Sequence, residues 1–178
     1  MTLTEAIIGR MSHDLAGGVG AIASTAELMA IDPTFVEEAG HMLKQNSLML
    51  MARLRFYRAL FGAETKEINA SILTEYLHTW GQKITFEGNP DNRLQLALVA
   101  VGIILLAQGG ALVLKGNLIT LRGPEITARP EFLALLNGEE VSPTPEIVEA
   151  AWLMKQLSDQ KKTLKTTFKA TTAQLEIK

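Results

Sequence analysis

Residues 12–22 read Ser12-His13-Asp14-Leu15-Ala16-Gly17-Gly18-Val19-Gly20-Ala21-Ile22, and the reading of this stretch decides the rest. Around it, Ile7, Met11, Leu15, Val19, Ile22, Ala26 and Met29 recur at spacings of three and four, the signature of a helix with one apolar seam. At 3.6 residues per turn, His13 lies roughly opposite that seam and faces solvent. Its neighbours on the same face are Ala6, Gly9, Arg10, Ala16, Gly17, Gly20 and Ser24, all small except Arg10. Each glycine inside a helix costs about 1 kcal/mol relative to alanine, so glycines crowded around one imidazole need a reason beyond folding. Close approach by the surface of another protein supplies one.

Outward from this window, Thr2 and Glu5 form a capping box that starts the helix near Leu3. Asp32-Pro33 ends it and opens the next, because proline disfavours helix in the residue before it yet suits the first position of a new one. So short a connection makes an antiparallel hairpin of helices over 3–30 and 33–61, with Gly62 as the stop. The second helix carries two apolar stripes: Val36, Ala39, Leu43, Leu50, Leu54, Tyr57 and Phe61 in one, Phe35, Met42, Met49 and Phe56 in the other. A hairpin covers one of them, and each large side chain left wet forfeits about 1.5 to 3 kcal/mol. The second stripe therefore packs either on the C-terminal half of the chain or on a second copy, two hairpins then making a homodimeric four-helix bundle.

From about Ile68 the pattern changes. Asn69 to Trp80 reads as a helix, Lys83 to Glu87 as a strand and Asn92 to Gln108 as a buried helix. Ala111 to Lys115 and Leu118 to Arg122 read as a hairpin turning at Gly116-Asn117. Pro130 to Asn137 and a segment opened by Thr144-Pro145 read as helices, and Leu164 to Lys169 with Ala173 to Lys178 as a last strand pair. A sheet covered by helices follows. The expected class is α+β, with a helical hairpin over 1–63 and an α/β domain over 64–178.

A chain of 178 residues that is 47% apolar can bury a real core, as one compact domain or two small ones. The absence of cysteine excludes disulfides, thiolate metal sites and thiol nucleophiles, and suits a reducing compartment; a cytoplasmic location is expected. A net charge of −2, with no basic run beyond Lys161-Lys162, argues against nucleic acid as partner. The N-terminus shows no basic region followed by an apolar core. The apolar run from Leu96 breaks at Gln108-Gly109-Gly110, short of the roughly 18 to 20 residues that cross a bilayer. No membrane partner and no resident metal are expected.

Ser12-His13-Asp14-Leu15, with Val19 and Ile22, resembles the phospho-accepting histidine box of two-component signalling proteins. Gly18 stands where that family has proline, and Gly17 where its kinases carry the Thr or Asn that assists dephosphorylation; this second departure from the family's pattern argues against strong phosphatase activity. Residues 50–63 are similar to the end of the second helix in the histidine phosphotransferases of the alphaproteobacterial cell-cycle phosphorelay (ChpT-like). The α/β half resembles the ATP-binding domain of histidine kinases in element order and length, without its nucleotide machinery. The buried helix has no interior Asn, and Arg122-Gly123-Pro124-Glu125 stands where the first glycine motif belongs. No Walker-type loop replaces it. The resemblance implies a dimeric phosphotransfer protein with a degenerate ATPase domain and no ATP. Its partners would be the receiver domains of response regulators and of a hybrid histidine kinase, with Mg²⁺ on the receiver side.

Chemically, a neutral imidazole nitrogen is a nucleophile, and the N–P bond it forms is labile enough to pass the group onward. His13 is the candidate acceptor, and Asp14 is placed to orient its ring or take up its proton. Arg10, one turn earlier, is placed to meet an acidic rim or a phosphoryl oxygen. Ala16, Gly17, Gly20 and Ser24 form the surface a receiver approaches. Arg55 and Arg58 are by default a solvated helix end and secondarily a partner contact. His41 and His78 lack the small-residue collar and adjacent acid, and read as surface residues. Three rivals stay open: an all-helical monomeric phosphotransfer domain, which has no place for the α/β half; a dimeric adaptor or kinase inhibitor that is never phosphorylated; and an active kinase.

Overall fold

The computed structural model describes residues 1–62, 68, 70–79 and 84–178. Helix α1 spans Leu3–Ile31 and begins at the capping box: Thr2 Oγ1 accepts from the Glu5 amide at 3.2 Å, and the Glu5 carboxylate accepts from the Thr2 amide at 2.7 Å. Asp32 closes this helix and starts the next. Its amide donates to the Leu28 carbonyl at 3.0 Å, and its carboxylate accepts from the Thr34 amide at 2.9 Å. A 3₁₀ turn, Pro33–Phe35, leads into α2, Val36–Phe61, which packs back along α1. Gly62 ends α2 with an ordinary φ of −67°; what demands glycine is space, since a Cβ would lie 2.3 Å from the Arg58 carbonyl oxygen.

Helix α3 covers Ala70–His78. The expected helix ends at Asn69 and Trp80, the first strand residue Lys83 and the division at 63/64 lie outside the described residues. Then come β1 (Ile84–Glu87), α4 (Arg93–Leu105), β2 (Gly110–Lys115), β3 (Leu118–Arg122) and α5 (Pro130–Leu136). A 3₁₀ turn at Pro145–Ile147, α6 (Val148–Asp159), β4 (Leu164–Phe168) and β5 (Thr172–Ile177) complete the chain. The fold is α+β, a helical hairpin joined to a mixed sheet of order β1-β2-β3-β5-β4, in which only β1 and β2 run parallel. The β2–β3 turn uses Gly116 at φ +57°, where an L side chain is strained. Every residue of α4 from Leu94 to Ile103 is buried, which accounts for the unbroken apolar run from Leu96. Gly102 lets the sheet approach that helix, since a Cβ there would lie 2.7 Å from Leu112 Cδ1.

One core joins α4, α6 and the inner sheet face to Phe56, Tyr57 and Leu60 of α2 and Tyr76 of α3. This corrects the division of α2 into stripes. Phe56, grouped with Met42 and Met49, is fully buried with its ring stacked on Tyr76 at 3.7 Å between centroids. The sheet half thus takes the end of that stripe, and Met42 and Met49 stay exposed. On α1, Val19 of the apolar seam is exposed, whereas Thr25 is buried and donates to the Ala21 carbonyl at 2.8 Å. Among the described residues α1 is also the one helix long and apolar enough, by length and composition, to cross a membrane. The run from Leu96, weighed for that role in the sequence, is the buried α4 and the turn after it.

Candidate functional site

Helix α1 is clasped near its start by the sheet half. Ala6 is fully buried, and a Cβ at Gly9 would lie 3.0 Å from Cγ of Pro145 in the turn before α6. His13 stands one turn further on, with its side chain 85% exposed. Its Nδ1 lies 3.1 Å from Asp14 Oδ1. An imidazole that gives its Nδ1 proton to a carboxylate keeps its lone pair on Nε2, at the far edge of the ring.

The other oxygen of Asp14 is held from inside. Oδ2 accepts a hydrogen bond from the Tyr57 hydroxyl, and Arg10 Nε lies 3.5 Å away. Burial pushes the Asp14 pKa up, but the Tyr57 bond, the Arg10 charge, the His13 bond and the more distant Arg53 outweigh it and hold it below its ordinary value. Tyr57 is fully buried, and burial together with its bond to Asp14 pushes its own pKa up, so it remains a proton donor. Arg10 Nε also lies 3.6 Å from Glu149 Oε1 on α6. Burial works against the Arg10 charge, yet Glu149, Tyr57 and Asp14 raise its pKa overall. Glu149 is only 2% exposed, and neither of its carboxylate oxygens meets a hydrogen-bond donor among the described residues. Burial raises its pKa and Arg10 pulls the other way. Arg10 is thus engaged within the chain rather than reaching outward from α1.

Beyond His13 the collar is open. Ala16, Gly17, Gly20 and Ser24 are exposed, and among the described residues no atom lies within 4 Å of a Cβ built on Gly17 or Gly20. Gly18 differs: its Cβ would lie 2.7 Å from Leu50 Cδ1, so it serves the contact of α1 with α2. A cleft of about 140 Å³ starts at Asp14 and runs between Gly17, Gly18 and Ala21 on one side and Met49, Leu50 and Arg53 on the other. Arg53 donates to Thr79 at Oγ1 and at the carbonyl, 3.3 and 3.1 Å, tying α2 to the end of α3. Arg55 pairs with Glu75 in solvent at 2.9 Å, and Arg58 lies exposed in the last turn of α2; neither belongs to the cluster around His13. Among the described residues no group of three or more acidic or histidine side chains is placed to hold a metal ion.

No family model matches the chain, and no curated protein matches it in sequence. A solved structure described as a bacterial phosphotransferase aligns with 99% of this chain and 95% of its own, with a TM-score of 0.82 at 24% identity. The fold is shared from end to end. The histidine kinase AdeS of Acinetobacter baumannii aligns with 93% of this chain and 95% of its own at 10% identity, with a TM-score of 0.36, too low to indicate a common fold.

Two residues of the cluster were not singled out in the sequence. Tyr57 sat in an apolar stripe, where its hydroxyl was the one sign that it needed a polar partner. Glu149 sat between Val148 and Ala150-Ala151-Trp152, an acid in an apolar run.

Proposed function

We propose that this chain is a histidine phosphotransferase of a two-component phosphorelay, taking a phosphoryl group onto His13 from the aspartyl phosphate of one receiver domain and passing it to the aspartate of another. The observation that carries this reading is the exposed His13 ring with Asp14 at its Nδ1, on a helix face cleared of bulk. In the forward step the Nε2 lone pair forms the N–P bond while the P–O bond to the donor aspartate breaks, its electron pair leaving with the carboxylate. The ring keeps its Nδ1 proton and becomes cationic, and Asp14 balances that charge at 3.1 Å. Delivery to the second aspartate reverses the step, so no proton has to move. Such chemistry asks mainly for in-line positioning and charge stabilisation. On this reading Mg²⁺ sits on the receiver.

The full-length likeness to a bacterial phosphotransferase supports the reading. A ChpT-like place in a cell-cycle relay is its finer form, resting on the histidine box and on residues 50–63. In that form the chain divides into a phosphotransfer domain, 1–63, and an ATPase-like domain, 64–178, that uses no ATP. In support, α4 carries apolar side chains and one glycine from Leu96 to Ile103, where a nucleotide site would need an Asn. A homodimer belongs to the same reading. Ile8, Leu15 and Val19 share the α1 flank turned away from the 140 Å³ cleft, as Met51 and Leu54 do on α2. All but Leu15 are exposed large apolar side chains. A second copy covering them makes a four-helix bundle and leaves His13 open. Receivers of response regulators and of a hybrid kinase are the partners, and the cytoplasm is the expected location.

Incubation with a ³²P-labelled receiver tests the reading. Acid-labile, alkali-stable label should appear on the wild-type chain and be absent from a folded His13→Gln variant. Binding of the receiver without any label would favour a non-phosphorylated adaptor, and label retained in His13→Gln would remove His13 from the chemistry.

A further inference from the structure

Asp14 is gripped from two directions, and both lead to α6. Arg10, beside the Asp14 carboxylate, is held by Glu149. Tyr57, which donates to it, is pinned by its ring: Phe61 stacks on Tyr57 at 5.9 Å between centroids, and Trp152 meets Phe61 edge-on at 6.0 Å. Glu149 and Trp152 are three residues apart on α6 and therefore share one face of it.

The Glu149 carboxylate makes little sense as packing. It is buried with no hydrogen-bond donor on either oxygen among the described residues, and a hydrophobic residue of similar volume would serve stability as well or better. What an apolar residue cannot do is hold Arg10. The Arg10 Nε stands almost midway between two carboxylates, 3.5 Å from Asp14 and 3.6 Å from Glu149, and reaches hydrogen-bond geometry with neither. Without Glu149, a buried guanidinium would close on Asp14 as a paired fork and draw that carboxylate toward itself. With Glu149 in place, Oδ2 of Asp14 goes to the fixed Tyr57 hydroxyl and Oδ1 is presented to His13.

We infer that α6 positions His13: Glu149 through Arg10, and Trp152 through Phe61 and Tyr57, hold the Asp14 carboxylate so that its free oxygen fixes the ring with Nδ1 protonated and Nε2 as the nucleophile. The sheet half is then an intramolecular positioning element, whatever it does toward partners. The consequence for transfer rests on the proposed function, whereas the consequence for the ring does not.

The test reads the His13 tautomer directly, by long-range ¹H–¹⁵N NMR at alkaline pH, with the signals of the three histidines assigned through His13→Gln. Tyr57→Phe removes a single oxygen from a ring whose packing is retained. Glu149→Gln keeps the size of that side chain and removes the charge that holds Arg10, while leaving Arg10 free to close on Asp14. The wild-type ring should be mainly the Nδ1–H form, and both variants should shift it toward the Nε2–H form that free histidine prefers. Transfer from a labelled receiver should slow by roughly tenfold to a hundredfold at saturation, as for lost outer-shell partners of metal ligands, with the half-saturating receiver concentration unchanged. If Glu149→Gln does not fold, Trp152→Leu, which loosens the ring packed behind Phe61 and Tyr57, decides for α6. An unmoved tautomer overturns the inference even if transfer slows, and a moved tautomer with an unchanged rate overturns its link to catalysis. A moved tautomer in a protein whose wild type never takes up label keeps the positioning and removes the phosphotransfer reading instead.

Discussion

The two halves of α1 have opposite surroundings, and His13 stands where they meet. From Leu3 to Asp14 the helix is clasped: Ala6 is buried, Gly9 faces Pro145, Arg10 faces Glu149 and Asp14 lies against Tyr57. From Ala16 to Ile31 it packs on α2 and the turn before it, and Thr25 alone is buried, while Val19, Leu28 and Ile31 are 56, 48 and 79% exposed. On the proposed reading the clasped half fixes the reacting group, which lowers the orientational freedom lost in the transfer step. The free half leaves apolar surface in water, which in a folded protein marks a place of association. On that reading one helix separates holding the histidine from meeting partners, with Ile8 the one apolar side chain of the clasped half that joins the exposed flank.

The largest effect is expected from the free half. Val19→Glu with Met51→Glu should convert a dimer into a folded monomer, seen as a halved mass by light scattering at micromolar concentration with helical circular dichroism retained. Both positions are exposed in the single chain, so the charges meet water unless a second copy covers them. A wild-type chain that already runs as a monomer would break the comparison at this point. Met49 and Phe56, which share the second apolar stripe of α2 in the sequence, do not make a clean test pair. A charge at Phe56 would be buried beneath Tyr76 and would unfold the sheet half's junction with α2.

The clasped half holds two carboxyl groups that should respond to pH in opposite senses. Asp14 is held below its ordinary value, so the folded state favours its charged form. Its contribution to stability is present above the ordinary carboxylate range, about pH 4, and is lost as pH falls through its folded value. Glu149 is pushed up by burial, so the folded state favours its proton, and stability falls as pH rises from that range toward the raised value. Asp14→Asn should therefore cost about 1.5 to 3 kcal/mol near pH 7, as for a hydrogen bond to a charged group, with the gap closing below about pH 4. Glu149→Gln should gain on wild type as pH rises from about 4 to about 7. Urea unfolding across that range measures both, and difference curves of the same slope would refute the assignment of one fixed and one strained carboxylate.

What was legible in the sequence is what local chemistry dictates. The Thr2–Glu5 box, the Asp32-Pro33 junction and the Gly116 turn each need only a few neighbouring residues to be recognised, and each element stands within a few residues of its expected place. His13 and the clearing at Gly17 and Gly20 were legible for the same reason, since one helix face carries them. The rest depends on distant contacts. Tyr57 reaches Asp14 across 43 positions, and Glu149 meets Arg10 from a helix at the other end of the chain. Helical periodicity reports that a face is apolar but not what covers it, so Phe56 and Met49 looked alike although one is in the core and the other in water.

The smallest effects lie in the glycines, and they separate the halves most finely. In the free half, Gly17 and Gly20 have no described atom within 4 Å of a built Cβ, so alanine at either position should stabilise the helix by up to about 1 kcal/mol. In the clasped half a Cβ at Gly9 meets Pro145 at 3.0 Å, and at the α1–α2 contact a Cβ at Gly18 meets the end of Leu50 at 2.7 Å. There the helix gain must be set against a displaced proline ring or a shifted leucine, so Gly9→Ala and Gly18→Ala should melt below Gly17→Ala and Gly20→Ala. If all four variants melt alike, the clasp at Pro145 contributes nothing and the contrast between the halves fails. Size then separates stability from docking. Gly20→Arg and Gly17→Leu keep the helix but put bulk on the face beside His13, so both should remain folded while transfer from a labelled receiver slows in proportion to side-chain length. Wild-type rates in both would mean that the clearing does not receive the partner, and the docking surface would then lie near Arg55 and Arg58, in the last turns of α2.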